Sequence, residues 1–253
     1  MTTLAVIGGT GMNQWPGLEI ERRHELETLY GQPSAPPVEG TVYGVRAVFL
    51  ARHGEGHRIP PHAINYRANI WALRQLGVKS VIAIAAVGGI ADSCAPGSVS
   101  VPHDLVDYSW GREHSYSDGS EAADLQHVEF TEPYSPRLRH ALLEAAQAAG
   151  VEAVAQGVMA VTQGPRLESA AEIRKLRLDG CDMVGMTSMP EAGLAREAGL
   201  EYACLAVSVN WAAGVRGVGD IHAEIHQSID AGMAKVRAIL QRALPNLANE
   251  RPL

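Results

Sequence analysis

Two polar side chains lie in distant segments that each follow an apolar run, and both have the chemistry to bind a small molecule. Glu168 ends the segment 163–168 (QGPRLE), and Asn210 ends the segment 208–210 (SVN). An ionised glutamate only accepts hydrogen bonds, whereas an amide both donates and accepts them. A 6-oxopurine such as hypoxanthine or guanine presents an N1–H donor and acceptors at O6 and N7, which this pair matches. An aspartate in place of Asn210 would instead suit a 6-aminopurine, because it accepts from the exocyclic amine.

Two other segments are suited to an anion. The glycine-rich turn around Thr10 (GGTG) follows a predicted strand, and its N–H groups could surround an anion or simply form a tight turn. Residues 184–191 (VGMTSMPE) join a predicted strand to a predicted helix, and a helix N-terminus favours phosphate. The spacing of Ser188 and Glu191 predicts a capping box, which leaves the Thr187 hydroxyl available to a ligand.

The segment 50–55 (LARHGE) contains Arg52 and His53. An Arg-His-Gly-Glu pattern is typical of histidine phosphatases, so that class of enzyme is one alternative. There the pattern belongs to the first strand, whereas here it follows the glycine-rich turn. We therefore interpret Arg52 as a cation for an anionic substrate, with a surface salt bridge as the alternative. Two prolines separate His57 from His62 and no cysteine or carboxylate cluster joins them, so we expect no metal.

The composition limits the class of protein. With 253 residues, 46% of them hydrophobic, the chain is long enough for a large α/β domain. The formal net charge is −7 and no run is rich in lysine or arginine, so we expect neither a nucleic-acid nor a membrane partner. No signal peptide or membrane span is expected. The cysteines have no paired spacing, and Cys181 and Cys204 fall in apolar segments, which predicts buried thiols and a cytoplasmic protein.

Apolar runs and helix signals alternate along the chain and predict the elements that position these side chains. Strands are expected at 3–7, 42–51, 81–87, 99–106, 157–161, 182–186 and 202–209. Helices are expected at 62–76, 136–149, 169–178, 188–198 and 221–244. The run 81–87 is typical of a strand buried on both faces, ended by Gly88 and Gly89, and Pro245 is expected to stop the last helix. The stretch 108–131 is interpreted as a long functional loop.

The alternation predicts an α/β fold with a mostly parallel, mixed central sheet flanked by helices. We expect a single domain over residues 1–245 and a C-terminal tail at 246–253.

Taken in order, the motifs resemble those of the trimeric nucleoside phosphorylases, the family of methylthioadenosine phosphorylase and purine nucleoside phosphorylase. The resemblance runs almost from end to end. Its motifs are IGGTG at 7–11, LARHG at 50–54, NYRANIWAL at 65–73, AVGGI at 86–90, QGPR at 163–166 and GMTSMPE at 185–191. It implies a nucleoside phosphorylase-like fold, inorganic phosphate as a co-substrate, no metal or organic cofactor, and assembly as homotrimers or dimers of trimers.

The resemblance also implies roles for individual residues. Phosphate would be bound by Thr10, Arg52, His53, the backbone of Ala85 and Ala86, and Thr187. The nucleoside would be bound by Met186, Leu167, Glu168, Asn210, Trp211, Ala212, His222 and, from a neighbouring subunit, His127. Of these, Met186 would pack on the ribose, and Asn210 would be the catalytic residue that stabilises the departing base.

The residues around the base distinguish two branches of this family. Methylthioadenosine phosphorylases have aspartates where this chain has Asn210 and Ala212 and lack a match to Glu168, whereas inosine and guanosine phosphorylases use a Glu and an Asn. Leu167 replaces a usual phenylalanine, which implies weaker stacking on the base. His222 stands where a methylthio-binding enzyme has an apolar residue, and it could bond a 5'-hydroxyl.

The combination implies phosphorolysis of a 6-oxopurine nucleoside in purine and methylthioadenosine salvage. S-methyl-5'-thioinosine is the expected substrate, and a general inosine and guanosine phosphorylase is the alternative. A purine-binding protein without catalysis is the alternative from another class.

Overall fold

The structure is a computed structural model that describes residues 4–9, 15–119, 125–216 and 221–249, except the side chains of 221–224, 226 and 227. The strands are β1 (Leu4–Gly8), β2 (Glu19–Arg23), β3 (Val38–Val42), β4 (Val45–Ala51), β5 (Ser80–Gly89), β6 (Val99–Ser100), β7 (Asp104–Asp107), β8 (Ala153–Val154), β9 (Val158–Val161), β10 (Met183–Gly185) and β11 (Glu201–Trp211). The helices are α1 (Tyr66–Gln75), α2 (Pro136–Ala148), α3 (Ala170–Leu178), α4 (Ser188–Glu197) and α5 (Ile221–Asn249), with short 3-10 helices at Pro61–Ala63 and Asp92–Cys94. These elements confirm the predicted α/β fold.

One mixed sheet connects the strands of the described chain. Its order is β2-β3-β4-β1-β5-β10-β9-β7, while β11 pairs with β5 and β6, and β6 pairs with β8. The central pairs β1–β4, β1–β5 and β5–β11 are parallel. The pair β5–β10 and the hairpin of β3 and β4 are antiparallel. The sheet is therefore mixed with a parallel centre, as predicted.

Alternate residues of β5 pack on opposite faces of the sheet. Val81 and Ala83 belong to the hydrophobic cluster that contains residues of α1 and α4. Ile82 and Ile84 belong to the cluster that contains residues of α2 and α5. Because helices cover both faces, the strand needs apolar side chains at every position, and this confirms the prediction from its continuous apolar run.

One edge of β5 changes its partner at the centre of the sheet. β1 pairs with this edge as far as Ala83, and β10 pairs with Gly88 and Gly89. Within the described chain, residues 84–87 have no partner strand on this edge, so their backbone groups are available to side chains or a ligand. The two glycines continue the strand instead of ending it, which corrects the prediction. A Cβ on Gly89 would lie 1.8 Å from the Cys94 carbonyl oxygen, so only glycine fits there.

Two predicted strands are each divided in the structure. The region 42–51 is part of a hairpin, in which β3 and β4 are joined by Tyr43 and Gly44, both with positive φ. The region 99–106 is divided into β6 and β7 around Pro102, which has no N–H to donate to a strand ladder.

One end of each of two predicted helices is set by contacts that periodicity does not show. Helix α1 begins at Tyr66 because the Asn65 side chain accepts a hydrogen bond from the Ala68 N–H at 3.0 Å. Helix α5 includes Pro245 and continues to Asn249, so the predicted stop at Pro245 is wrong and the helix extends into the predicted tail at 246–253. Leu247 is buried in the core, and this burial offsets the hydrogen bond that the proline cannot make.

The remaining expectations concern cysteines and membrane helices. Cys181 and Cys204 are buried and free, as predicted. Among the helices that the structure describes, none is long and apolar enough to cross a membrane.

Candidate active site

A cavity of about 430 Å³ lies beside the central edge where β5 changes its partner. It brings together residues that the sequence analysis selected from five distant segments. Its lining includes Arg52, His53, Ala85, Ala86, Leu167, Glu168, Met186, Thr187, Asn210 and Ala212. Most of them follow the ends of strands, where an open α/β sheet places its ligand sites.

Arg52 follows β4 and is only 1% exposed. Its Nε and Nη2 atoms donate to the two carboxylate oxygens of Glu191 at 2.6 and 2.7 Å. Its Nη1 atom donates at 3.1 Å to the carbonyl of Ile84, within the unpaired edge of β5. A guanidinium has five N–H donors, so this arrangement fixes the cation and leaves two donors for a ligand. The alternative of a surface salt bridge is wrong, because the pair is buried.

Glu191 is fully buried in helix α4 and balances this cation. It also accepts a hydrogen bond from the Tyr202 hydroxyl at 2.8 Å. Burial alone lowers the pKa of Arg52, but the adjacent Glu191 carboxylate outweighs burial and raises that pKa above its usual value. Gly9 is needed beside this pair, because a Cβ there would lie 3.1 Å from the Arg52 Nη1 atom.

His53 has a defined tautomer. Its Nδ1 atom lies 2.8 Å from the Ile59 carbonyl oxygen, and because a carbonyl only accepts, Nδ1 carries the proton. The pKa of His53 is lowered to about 4, chiefly by burial and also by the nearby Arg52 and His57, while the Ile59 bond opposes the shift. The ring is therefore neutral at pH 7, and Nε2 is a hydrogen-bond acceptor.

The junction of β10 and α4 differs from the predicted capping box. Ser188 donates its hydroxyl to the sulfur of Met159 at 3.1 Å, and Glu191 pairs with Arg52, so neither side chain caps the helix. Thr187 is the N-cap residue and makes no side-chain capping bond. Met189 has non-helical φ and ψ values of −118° and 137°, so regular helix begins after it and the helix dipole lies further from Thr187 than predicted.

Asn210 lies at an irregularity of β11. Ser208 pairs with Val87 and Asn210 with Gly88, so Val209 is an extra residue on β11. Such a bulge redirects the side chains that follow it. The Asn210 amide nitrogen donates to the Trp211 carbonyl at 2.7 Å, which fixes the amide while its second N–H and its oxygen have no hydrogen-bond partner within the described chain.

Asn210 and Trp211 are the two candidates for base binding on β11, and of these Trp211 does not line the cavity. Neighbouring side chains of a strand point to opposite faces, so a strand that directs Asn210 into the cavity directs Trp211 away. The Arg216 guanidinium lies 4.6 Å from the centre of the Trp211 ring. Trp211 therefore does not line this cavity, and its contact with the base stays a prediction.

Glu168 is oriented by Thr162. The Thr162 hydroxyl donates to Glu168 Oε1 at 2.6 Å. Gly164, with a φ of 58°, allows this loop to approach Met186 closely, since a Cβ there would lie 2.5 Å from the methionine sulfur. Thr162 was not selected by the sequence analysis, because a threonine after an apolar strand has no distinctive signature.

Arg112 holds the two loops that flank the cavity. Its guanidinium donates to the carbonyls of Thr162 and Gln163 on the Glu168 loop and to the carbonyls of Met186 and Met189 on the Thr187 loop. The sequence analysis predicted a functional loop around Arg112 but not this contact. Main-chain carbonyls carry no side-chain signature, and the side-chain oxygen of Gln163 that Arg112 also bonds, at 3.2 Å, lies 51 positions away along the chain.

The other predicted residues lie outside the part of the chain that the structure describes or outside the cavity. Thr10 and the side chain of His222 fall outside the described residues. His127 is exposed and does not line the cavity of its own chain. In the described ranges, no group of three or more His, Cys, Asp or Glu residues could hold a metal ion.

Comparison with known proteins identifies the family. Residues 3–245 match the family model described as the phosphorylase superfamily. The chain is 52% identical over 229 residues to a probable S-methyl-5'-thioinosine phosphorylase of Xanthomonas campestris pv. campestris, covering 90% of this chain and 91% of the relative. It is 40% identical over 255 residues to a 6-oxopurine nucleoside phosphorylase of Pyrococcus furiosus, covering 99% and 95%.

Solved structures agree with this assignment. Methylthioadenosine phosphorylase from Schistosoma mansoni in complex with tubercidin is 31% identical, with a TM-score of 0.91 and coverage of 99% of this chain and 93% of that chain. The match over nearly the whole length confirms the predicted family. The chain belongs to the phosphorylase superfamily.

Proposed function

We propose that this protein is a nucleoside phosphorylase that cleaves S-methyl-5'-thioinosine with inorganic phosphate. The products are hypoxanthine and S-methyl-5-thioribose 1-phosphate. The observation that carries this proposal is that one cavity is lined by the buried cation Arg52 and by both Glu168 and Asn210. The relatives named as methylthioinosine and 6-oxopurine nucleoside phosphorylases support the same substrate class.

The phosphate end of the site is assigned to four groups. Arg52 supplies positive charge, Thr187 a hydroxyl that no cap uses, and residues 85–86 backbone groups on the unpaired edge of β5. His53 is neutral and presents an acceptor at Nε2, which suits the protonated oxygen of monohydrogen phosphate. Thr10, from the sequence analysis, completes the proposed set.

The base end is assigned to Glu168 and Asn210, with Leu167 and Ala212 as apolar contacts and Met186 against the ribose. A carboxylate that accepts from N1–H and an amide whose remaining N–H donates to O6 or N7 match a 6-oxopurine. A 6-aminopurine has no proton on N1, so the same carboxylate would face an acceptor. This mismatch leaves a buried polar group unpaired and supports selectivity for the oxo form.

The mechanism follows from the charges that develop during the reaction. The C1'–N9 bond breaks and its electron pair moves into the purine, while an oxygen of monohydrogen phosphate forms the new bond to C1'. The proton that the phosphate gives up is taken by the purine anion, which leaves as hypoxanthine. Positive charge on the sugar is stabilised by the phosphate, and negative charge on the purine is stabilised by Asn210. This is electrostatic stabilisation by fixed groups, without a covalent intermediate on the enzyme, and the proposed set contains no metal or organic cofactor.

The 5' end of the substrate is assigned to His222 and to His127 of a neighbouring subunit in a homotrimer or a dimer of trimers. The exposed position of His127 and the 40% exposure of Leu167 at the cavity support a site that is completed by another copy. Light scattering combined with activity on dilution tests this. We expect activity to be lost when trimers dissociate, and a fully active monomer would contradict the shared site.

A substrate panel tests the proposed function. Inosine, guanosine, methylthioinosine, adenosine and methylthioadenosine are each incubated with and without phosphate, and the base released is measured. We expect release of hypoxanthine from methylthioinosine only when phosphate is present. Base binding without turnover would favour a purine-binding protein, and a preference for inosine over methylthioinosine would favour the general phosphorylase.

A further inference from the structure

We propose that Thr162 is a positioning residue that determines base specificity by holding the Glu168 carboxylate toward the purine. This inference rests on the proposed function, in which Glu168 reads the purine N1 position. Thr162 does not line the 430 Å³ cavity that contains Arg52 and Asn210, so it acts through Glu168 and not on the substrate.

The hydrogen bond gives the two carboxylate oxygens of Glu168 different roles. A hydroxyl carries one proton, and the Thr162 hydroxyl lies 2.6 Å from Glu168 Oε1 but 3.4 Å from the Gly185 carbonyl oxygen. The proton is therefore donated to Oε1. Oε2 has no hydrogen-bond partner within the described chain and is the oxygen available to the N1–H of the base.

The second cavity that Glu168 lines explains why the carboxylate needs to be held. This cavity, of about 270 Å³, is also lined by Thr162, Arg166 and Lys175. Two cations near this space attract a carboxylate that is free to rotate away from the base. Arg166 is already paired with Glu172 at 2.7 and 2.8 Å, which weakens its pull, and the Thr162 bond ties Oε1 to the chain so that the carboxylate is not free to rotate.

The backbone of Thr162 is fixed independently of its side chain. Its N–H donates to the Gly185 carbonyl at 2.9 Å, and its own carbonyl accepts from Arg112 at 3.1 Å. A change confined to the hydroxyl therefore leaves the loop anchored. The effect of the Thr162 hydroxyl on the direction of Glu168 Oε2 can therefore be tested without moving the loop.

The test compares Thr162→Val, which keeps the shape and removes the donor, with Thr162→Ser, which keeps the donor. The measured quantity is kcat/KM for methylthioinosine divided by kcat/KM for methylthioadenosine. We expect this ratio to fall about tenfold in Thr162→Val and to stay within about twofold of the wild type in Thr162→Ser. Thr41→Val is the matched control, because Thr41 donates to the Glu21 carboxylate at 2.7 Å on the remote hairpin of β2 and β3.

A double-mutant cycle separates positioning from a general structural role. In a Glu168→Ala background, Thr162→Val should change the ratio no further, because its effect acts through the missing carboxylate. Equal losses in both backgrounds would overturn the proposal, as would an unchanged ratio in Thr162→Val while Glu168→Ala lowers it. If Glu168→Ala itself leaves the ratio unchanged, the assignment of Glu168 to the base has failed, and the present inference falls with it.

Discussion

Replacing Arg52 by alanine should destabilise the protein strongly, because it leaves the buried Glu191 carboxylate without its cation. Two hydrogen bonds of 2.6 and 2.7 Å would be lost, and only the Tyr202 hydroxyl would remain to bond that carboxylate. Breaking a buried ion pair costs about 3–5 kcal/mol. For a protein of this size that corresponds to a fall in Tm of roughly 6–20 °C.

Kinetic measurements on this variant alone could not separate a loss of folded protein from a loss of phosphate binding, so a second variant is needed. Arg52→Met combined with Glu191→Gln removes both charges, and the glutamine oxygen still accepts from Tyr202. We expect this double variant to recover most of the lost Tm, since a neutral buried pair carries no unpaired charge. Its KM for phosphate should remain raised by about ten- to 150-fold, because a charge-assisted contact contributes about 1.5–3 kcal/mol.

The assay is thermal unfolding followed by steady-state kinetics with phosphate as the varied substrate. Arg46→Ala is the control, because Arg46 pairs with Glu21 and Glu39 on β2 and β3 and is itself 55% exposed. Its removal should change stability by no more than about 1 kcal/mol and leave phosphate kinetics unaltered. A double variant that is stable and has a wild-type KM for phosphate would remove Arg52 from the phosphate site.

Three further predictions concern other parts of the site. Asn210→Asp with Glu168→Ser should lower the ratio of kcat/KM for methylthioinosine over methylthioadenosine, roughly ten- to a hundredfold for each contact, as measured by steady-state kinetics. His53 has a pKa lowered to about 4, so its contribution to stability is present above about pH 6.5 and lost as the pH falls toward 4. Between pH 7 and 5, the free energy of unfolding of the wild type should fall by about 1 kcal/mol more than that of His53→Gln, after a discount for solvent access. Urea unfolding in phosphate-free buffer measures this difference. Arg112→Met should lower kcat/KM for the nucleoside at least about tenfold in steady-state assays, because it releases both cavity loops from each other.

Each of these predictions has a distinct contrary result. An unchanged ratio of kcat/KM for methylthioinosine over methylthioadenosine would mean that the Asn210 carboxamide and the Glu168 carboxylate do not bind the purine edge. Parallel pH profiles of unfolding for wild type and His53→Gln would mean that the imidazole is not neutral when folded. Arg139 also donates to backbone carbonyls, of Pro102 and Ala155, away from the cavity. If Arg139→Met lowers kcat/KM as much as Arg112→Met does, the loss reflects general stability.

The parts of the fold that follow from periodicity and local chemistry could be predicted from the sequence. The apolar run of β5 indicated a strand buried on both faces, and the spacing of Ser169 and Glu172 is typical of the capping box with which α3 begins. The same spacing at Ser188 and Glu191 was misleading. Glu191 bonds a residue 139 positions away, and a local pattern carries no information about a partner at that distance.

The residues of the candidate site also divide into those that the sequence could indicate and those that it could not. Arg52, Glu168 and Asn210 could be selected because charged and amide groups after apolar strands are chemically conspicuous. Arg112 could not, since it bonds main-chain carbonyls, which every residue offers. Trp211 was assigned to the cavity with its neighbours, and only the alternation of β11 around its bulge shows that it points elsewhere.

The most direct test of the proposed function is a crystal structure of the enzyme with hypoxanthine and phosphate bound together. We predict hypoxanthine with N1 within hydrogen-bond distance of Glu168 Oε2 and with N7 and O6 at the Asn210 amide, and phosphate between Arg52, His53 and Thr187. Hypoxanthine with its N7 edge toward Glu168, or phosphate bound outside this cavity, would contradict the account.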